Sequence, residues 1–339
     1  MEYFDIVLGC SFGDEGKGKV VYDLLTKNNY NLCVRFNGGS NAGHTVYINN
    51  EKYVVHQLPI GVLIPSVYNL ISSDALLDIV KLRAEIQQLK DKGIVVSGRL
   101  FVSKACHIIT EAAIEFDKQN NLVGTTGSGI GYTYSQKMLR TGNRAEEYKS
   151  ELADLGIEVV DMRKFWKSRF ISKTVYKVLV EGAQGFELDI NWTNNYPFCT
   201  SSNCSLSGAI NIGIPLRKIR NIYGISKMYD TYVGTMKFEP DNDPVLQKIG
   251  ELGKEYGSTT GRKRQCNYLN LDNLIDALFI NQCNKCIINK TDIVEQVGVF
   301  QLYHNQQLVP FKSMEQMKDY IVSKLPFIDI VFSGNPNTI

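Results

Sequence analysis

The chain has 339 residues, of which 44% are hydrophobic and 21% are charged. This length is enough for one large or two ordinary domains whose cores need no disulfides or metals. The net charge of only +2 argues against a nucleic-acid-binding protein, because such proteins carry a basic stripe. The first residues are acidic where a signal peptide would be basic, and no apolar run approaches the roughly 18–20 residues of a membrane span. We therefore expect a soluble, cytoplasmic protein with no membrane or nucleic-acid partner.

The eight cysteines are scattered along the chain and form no short disulfide framework. Cys283 and Cys286 make a single C-x-x-C pair, and the four histidines supply no H-x₃₋₅-H partner for it. We therefore interpret these cysteines as buried or half-buried thiols, in preference to a metal or redox site.

The N-terminal third alternates apolar segments with glycine-rich loops. Residues 3–9 predict a strand, residues 16–25 a helix and residues 32–36 a second strand, and a glycine loop follows each strand. This order of strand, loop, helix and strand is typical of a parallel α/β sheet. We predict an α/β fold: a mostly parallel central sheet flanked by helices, with a P-loop-like nucleotide-binding architecture.

Further along the chain, Asn49 and Asn50 predict a hairpin between the short apolar segments 46–48 and 53–55. Apolar residues at helical spacing predict a helix over residues 74–92, with Asp74 as its cap. The remaining predicted elements are helices at 107–118, 271–282 and 313–324, a loop at 124–131, and strands at 175–180, 219–225, 286–288 and 328–332. Nothing marks a domain boundary, so we expect residues 1–339 to form a single domain with peripheral insertions.

A phosphate-binding loop is predicted after the first strand, in the sequence GDEGKGK at residues 13–19. Its glycines let backbone N–H groups approach a phosphate, and the following helix points its positive end at the same place. The pattern departs from an ordinary P-loop because Val20 replaces the hydroxyl residue that holds Mg²⁺. Asp14, inside the loop, is then the obvious candidate for a magnesium ligand.

Three other motifs carry polar chemistry. His44 lies in a second glycine-rich loop after a strand, the part of an α/β sheet where ligands bind. Residues 289–292, NKTD, match the N-K-x-D pattern that reads guanine, in which the carboxylate accepts from two base donors that adenine lacks. The basic run at residues 262–264, Arg-Lys-Arg, suits the capture of a carboxylate or phosphate.

Taken together, the motifs resemble the adenylosuccinate synthetase family, whose members join aspartate to IMP at the expense of GTP. The resemblance covers most of the chain and keeps the family's order. It rests on GDEGKGK (13–19), NAGHT (41–45), GTTGSGIG (124–131), EGAQG (181–185), YPFCTSSN (196–203), TTGRKR (259–264) and NKTD (289–292).

The resemblance implies a role for individual residues. Asp14 resembles the base that removes the purine N1 proton, and His44 the acid that stabilises the transferring phosphoryl group, with Lys17 and Gln184 completing the catalytic set. The implied GTP-binding residues are Gly13, Glu15, Gly16, Gly18, Lys19, Thr45, Arg264, Lys290, Asp292, Ser333 and Gly334. The implied purine-nucleotide residues are Asn41, Thr126, Arg140, Gln184, Thr200 and Arg262, and the implied aspartate-binding residues are Thr259, Thr260, Arg262 and Arg264.

The same resemblance implies a cofactor and a partner. Mg²⁺ would bind Asp14 and the Gly43 carbonyl, and Arg140 would reach the neighbouring site of a homodimer.

Departures from the family pattern leave the substrate open. Ser128 and Tyr132 replace an arginine and a proline, residues 229–234 lack the usual arginine, and Tyr268 and Asn270 replace a tryptophan and an aspartate. The chain is also short, like archaeal and viral members. Because some compact phage relatives use dGMP, the alternatives to IMP are dGMP or GMP, with ATP or GTP as donor, in the host cytoplasm if the protein is viral. Asp14 is retained, which favours IMP. A nucleotide-binding regulator without turnover is a third hypothesis, disfavoured by the intact catalytic residues.

Overall fold

A computed structural model describes residues 3–120, 123–171, 175–257, 261–335 and 337–339. The strands are β1 (Tyr3–Gly9), β2 (Leu32–Arg35), β3 (His44–Ile48), β4 (Glu51–Val55), β5 (Tyr68–Ile71), β6 (Leu76–Leu77), β7 (Leu100–Ser103), β8 (His107–Ile108), β9 (Ile157–Val160), β10 (Lys177–Glu181), β11 (Ile219–Lys227), β12 (Tyr229–Tyr232), β13 (Gln265–Tyr268), β14 (Lys285–Asn289), β15 (Phe300–His304), β16 (Gln307–Phe311) and β17 (Asp329–Ser333). The α-helices are α1 (Lys17–Lys27), α2 (Ile79–Asp91), α3 (Glu111–Gln119), α4 (Ile130–Leu139), α5 (Lys149–Asp154), α6 (Met162–Ile171), α7 (Leu206–Asn211), α8 (Pro244–Leu252), α9 (Leu271–Ile280), α10 (Thr291–Val297) and α11 (Met314–Lys324).

The central sheet confirms the predicted α/β class. Its nine strands run in the order β17-β14-β11-β1-β10-β2-β5-β7-β9, and every neighbouring pair is parallel. Pairs of short strands, β12 with β13 and β15 with β16 among them, lie outside this sheet. No helix within the described ranges is long and apolar enough to cross a membrane.

Strand β1 lies near the middle of the sheet and is buried on both faces. Phe4, Ile6 and Leu8 pack into one hydrophobic cluster and Val7 into another, because successive side chains of a strand point to opposite faces. Such burial on both sides explains why parallel strands read as continuous apolar runs. It also fixes the position of the loop that follows Gly9.

Most predicted elements are present, but two helices begin later than predicted. Asp74 does not cap a helix: Leu76–Leu77 form a short strand paired with His107–Ile108, so the chain is still extended there. The cap of α2 is Asp78, whose carboxylate accepts the N–H of Lys81 at 3.0 Å. The predicted helix at 107–118 likewise begins only at Glu111, after a threonine cap.

The predicted hairpin is confirmed. Strands β3 and β4 pair antiparallel, and Asn49 and Asn50 both have positive φ, at 50° and 65°. Two successive residues with positive φ characterise the turn that matches the twist of a tight hairpin, and Asn tolerates this conformation well. In the stretch that forms α4, α5, β9 and α6, the sequence predicts only a loop, at residues 124–131. Helix α4 begins inside that predicted loop, at Ile130.

The fold brings the predicted motifs to one edge of the sheet. The loops after β1, β2, β10, β14 and β17 all leave the carboxyl ends of parallel strands. Strand β1 separates β10 from β11 at the centre, and ligands of open α/β sheets bind at such carboxyl edges.

Candidate active site

The predicted phosphate-binding loop wraps around a buried carboxylate. Glu15 is fully buried, and its Oε1 atom accepts the N–H groups of Ser11 and Gly13 at 3.1 and 2.9 Å. Its Oε2 atom lies 2.6 Å from the Lys17 ammonium, which is also buried. Glu15, predicted to bind GTP, and Lys17, predicted as a catalytic residue, therefore bind each other inside the loop. The Glu15 side chain thus supports the loop from within.

The loop has an unusual backbone and little space around it. Gly13, Asp14 and Gly16 have φ values of 89°, 58° and 88°, in the region that glycine adopts readily and other residues adopt rarely. A Cβ atom at Gly185 would overlap the carbonyl oxygen of Ser11. Gly13 and Gly16 are thus needed for the turn, and Gly185 is needed for the close approach of its own segment to this loop.

Asp14 projects from this loop and is paired with Arg264. The Arg264 Nε atom lies 2.8 Å from Asp14 Oδ2, and Asp14 remains about one third exposed, at 32%. On its other side, Arg264 lies 2.5 Å from Glu255. Burial lowers the pKa of Arg264, but the two carboxylates outweigh burial and raise that pKa above its ordinary value. The predicted base and a predicted aspartate ligand are therefore adjacent.

His44 lies in a buried cluster with Arg35 and Glu181. The Arg35 Nη1 atom is 3.0 Å from His44 Nδ1 and 3.2 Å from Nε2, and it is also 3.2 Å from the Glu181 carboxylate. Burial, and next the charge of Arg35, lower the pKa of His44 to about 4. At neutral pH the imidazole is therefore uncharged and acts as a hydrogen-bond partner.

The NKTD turn is attached to the phosphate-binding loop. Asn289 Nδ2 donates to the carbonyl oxygen of Glu15 at 2.7 Å. Lys290 adopts a φ of 66° and donates to the carbonyl of Gly253 at 3.1 Å, and Asp292 stands in the first turn of α10. The turn is therefore fixed directly against the phosphate-binding loop.

Ser333 and Gly334, at the end of β17, lie beside the NKTD turn, and we call the region that they form with this turn the NKTD corner. Lys19 Nζ donates to Ser333 Oγ at 2.9 Å and to the carbonyl of Asn335 at 2.8 Å. Burial lowers the pKa of Lys19 to about 8. A Cβ atom at Gly334 would lie 2.9 Å from Thr291 Oγ1, so this residue packs directly against the NKTD turn.

A cleft of about 820 Å³ joins these groups. Predicted site residues that line it are Gly13, Asp14, Glu15, Gly16, Lys17, Gly18, Asn41, Gly43, His44, Thr45, Thr126, Gln184, Arg262, Arg264 and Lys290. The Oδ1 atom of Asn41 and the Oε1 atom of Gln184 are buried there without a hydrogen-bond partner. Buried polar atoms normally find partners, so these two fit groups that a bound ligand would satisfy.

Some predicted site residues lie elsewhere. Lys19, Asp292, Ser333 and Gly334 stand beside the cleft at the NKTD corner, and Thr200 is absent from the lining. Arg140 is exposed at the end of α4, with a φ of 63°. The predicted aspartate ligands Thr259 and Thr260 lie outside the described residues.

Two cleft residues fit the Mg²⁺ that the resemblance implies. Asp14 offers a carboxylate and Gly43 a carbonyl, and the described residues contain no group of three His, Cys, Asp or Glu side chains arranged for a metal. Mg²⁺ usually takes one or two carboxylates and completes its shell with water and substrate phosphates. This sparse set of oxygen donors therefore matches a magnesium that binds together with a nucleotide.

The residues that depart from the family pattern have local structural roles. Ser128 is buried and accepts from Thr126 Oγ1 at 3.0 Å. Tyr232 packs against Phe12 and Phe238. Asn270 caps α9 by accepting the N–H of Asn273 at 3.1 Å.

The structure confirms that the cysteines are buried or half-buried thiols. All eight are free, and Cys283 and Cys286 are both buried. A hydrogen bond with Cys10 and then burial raise the pKa of Cys283 well above the ordinary value, and burial followed by the charge of Cys10 does the same for Cys286. A thiol that stays protonated is a poor nucleophile and metal ligand.

Several residues of the site went unnoticed in the sequence. Arg35 and Lys227 are the last residues of β2 and β11, and Glu255 follows α8 in a stretch without a predicted element. A charged residue at the end of a buried strand is the one signal that points to Arg35 and Lys227, because a buried charge requires a partner.

Comparison with known proteins decides the family. A family model for adenylosuccinate synthetase matches residues 6–165 and 145–320. The chain belongs to the adenylosuccinate synthetase family. The adenylosuccinate synthetase of Parabacteroides distasonis is 37% identical over 86% of this chain and 78% of its own length. That of Porphyromonas gingivalis is 36% identical over 87% of this chain and 79% of its own length.

Solved structures agree with this adenylosuccinate synthetase fold. The fully ligated adenylosuccinate synthetase of Plasmodium falciparum superposes with a TM-score of 0.85 at 28% identity, over 99% of this chain and 98% of that chain. The succinoaminodeoxyadenylate synthetase of cyanophage S-2L, solved with dGMP and dATP, gives a TM-score of 0.80 at 20% identity, over 100% and 94%. The second likeness shows the fold alone.

Proposed function

We propose that the chain is a carbon–nitrogen ligase that joins L-aspartate to C6 of IMP, with GTP as the phosphoryl donor, in purine nucleotide biosynthesis. The products are adenylosuccinate, GDP and phosphate. The observation that carries the proposal is the meeting of Asp14, His44 and the NKTD corner in and beside one cleft. Family membership and relatives at 36–37% identity support the same chemistry.

The reaction proceeds in two steps that divide the work among the cleft residues. Asp14 takes the proton from N1 of the purine, and the 6-oxygen attacks the γ-phosphorus of GTP, releasing GDP. The aspartate amine then attacks C6, and the 6-phosphoryl group leaves as phosphate. The first step turns a poor leaving group into a good one, and cations stabilise the charge that develops.

His44 and the arginines hold the reacting groups. The uncharged His44 ring lines the cleft and donates its N–H to a phosphoryl oxygen once it turns from Arg35, whose Nη1 atom contacts both ring nitrogens. Arg262 and Arg264 offer planar donor pairs that suit the carboxylates of aspartate. Asn41 and Gln184 supply the unpartnered buried oxygen atoms that meet donors on the purine nucleotide.

Mg²⁺ would be held by Asp14 and the Gly43 carbonyl. When bound, it neutralises phosphate charge and orients the transferring group. Asp14 must then leave Arg264, with which it is paired at 2.8 Å.

We also propose a cytoplasmic homodimer. Met138 and Leu139, next to Arg140, expose 72% and 70% of their surface, which fits a face covered by a second copy. The eight free cysteines fit a reducing compartment.

The experiment is a matrix of substrates. Purified protein, Mg²⁺ and aspartate are incubated with IMP, GMP or dGMP, against GTP or ATP, and products are identified by mass. We expect adenylosuccinate from IMP and GTP, and no product from the Asp14→Asn variant. A succinylated product from dGMP or GMP alone would overturn IMP as substrate. No product in any combination would overturn the ligase proposal and support a binding protein.

A further inference from the structure

The carboxylate of Glu255 is buried beside the cleft and surrounded by donors. Only 1% of the residue is exposed. Its Oε2 atom lies 2.5 Å from Arg264 Nη1, and its Oε1 atom accepts the hydroxyl of Tyr229 at 2.6 Å. The Lys227 ammonium, also buried, is 3.7 Å from the same Oε1 atom.

Glu255 remains charged in this environment. Burial raises its pKa, but Lys227 and Arg264 outweigh burial and lower the pKa to about 2. Lys290 contributes in the same direction. One buried anion therefore balances cations from β11, from the basic run and from the NKTD turn, and removing it would leave those cations uncompensated.

Backbone hydrogen bonds also hold Arg264 beside Glu255. The Arg264 N–H donates to the carbonyl of Glu255 at 3.0 Å, and the Gly257 N–H donates to the carbonyl of Arg262 at 2.8 Å. The segment after α8 is thus paired with the basic run. Two residues earlier, the carbonyl of Gly253 accepts from Lys290.

Arg264 is consequently held between two unlike carboxylates. Glu255 is buried and bound to Arg264 on the side away from the cleft, whereas Asp14 is partly exposed and lines the cleft. When Asp14 turns to the purine or to Mg²⁺, Arg264 loses one partner. The contact with Glu255 does not involve the cleft and can persist.

We propose that Glu255 is a positioning residue that holds the Arg264 guanidinium at the edge of the cleft. With Nη1 bound to Glu255, the other N–H groups of Arg264 face the carboxylate of the incoming aspartate. This inference rests on the proposed function, because it assigns the aspartate site to Arg264. Glu255 touches no substrate and acts through Arg264.

The test compares Glu255→Gln with Glu251→Gln in the intact chain. Glu251 lies on α8 four residues earlier and faces solvent. Glutamine keeps an acceptor for Tyr229 but loses the charge that holds Arg264. We expect the KM for aspartate to rise by roughly 10- to 100-fold, the effect of losing one charge-assisted hydrogen bond. The KM for the purine nucleotide should change by less than threefold, and Glu251→Gln should match the parent protein.

A double-mutant cycle separates positioning from general stability. In an Arg264→Ala background, Glu255→Gln should add little to the KM for aspartate. If Glu255→Gln unfolds, the Lys227→Met, Glu255→Gln double variant removes both buried charges and should fold with the same high KM. An unchanged KM in any folded Glu255→Gln protein, or full additivity in the cycle, would overturn the proposal. A parent protein inactive in every substrate combination would instead refute the proposed function.

Discussion

Glu187 is predicted to make the stability of the protein depend on pH. It lies in the turn after β10 and is only 5% exposed. Its N–H donates to the carbonyl of Ser11 in the phosphate-binding loop at 3.1 Å. Burial, followed by the nearby charges of Asp230 and Asp276, raises the pKa of Glu187 from 4.5 to about 8.

Proton linkage gives the sign and the size of this pH dependence of stability. In the unfolded chain Glu187 loses its proton near pH 4.5, whereas in the folded chain it keeps the proton until about pH 8. Between these values the folded state binds more protons, so stability is full at low pH and falls as the pH rises through this window. A gap of about 3.5 pH units corresponds to about 5 kcal/mol.

The perturbation is Glu187→Gln, which keeps the shape and removes the charge. We expect equal stability of variant and parent at pH 4.5, and a variant more stable by up to about 5 kcal/mol at pH 9. With an unfolding entropy of about 2.1 cal/mol/K per residue, this gain corresponds to a melting temperature higher by about 7 °C. Asp230, whose pKa burial raises to about 6, titrates in both proteins, and its repulsion of Glu187 is part of the difference between variant and parent.

The assay is thermal unfolding from pH 4.5 to pH 9, supported by urea unfolding at both ends of the range. Glu115→Gln on α3, an exposed position, is the matched control and should follow the parent protein at every pH. A difference between Glu187→Gln and the parent that stays constant across this range would refute the reasoning. A parent protein that gains stability with rising pH relative to the variant would also refute it.

Two further predictions concern ligand binding. Asp292→Ala removes the carboxylate that accepts two hydrogen bonds from guanine, so the KM for GTP should rise by roughly 100-fold or more while use of ATP is unaffected. Steady-state kinetics with both donors checks this, and an unchanged KM for GTP would contradict the guanine assignment. Arg140→Leu should raise the KM for the purine nucleotide about tenfold, and mixing this variant with inactive Asp14→Asn should restore activity in hybrid dimers that contain one complete site. Failure of the mixture to recover activity would contradict the shared site.

The parts of the site that sequence could predict have local signals. The apolar run 3–9 predicts a strand, and the glycines that follow it predict a loop. In the structure Gly13 and Gly16 of that loop have positive φ values. A loop that follows a parallel strand lies at the carboxyl edge of the sheet, so the meeting of these loops follows from the fold class. Helical spacing of the apolar residues predicts Asp74 as a helix cap, and only the pairing of β6 with β8 shows that the helix begins later, with Asp78 as its cap.

The parts that could not be predicted depend on contacts between distant segments. Arg35, Glu181 and His44 are separated by up to 146 positions and meet only because β2 and β10 are neighbours. Glu255 follows α8 without any periodic pattern, and its partners come from β11 and from the basic run. Pattern reading locates glycine loops and strand ends, but it carries no information on which buried charges will become neighbours.

This difference explains why Glu15, predicted to bind GTP, and Lys17, predicted as catalytic, have side chains that bind each other. Phosphate binding needs backbone N–H groups aimed at the cleft, and such a loop needs an anchor on its inner side. Glu15 supplies it by accepting two N–H groups, and Lys17 neutralises the buried carboxylate. The same division recurs at Arg264, where Glu255 is the inner partner and Asp14 the outer one. At each of these two points a buried carboxylate holds a group that lines the cleft. Some charged residues near the cleft therefore support the site instead of binding the ligand.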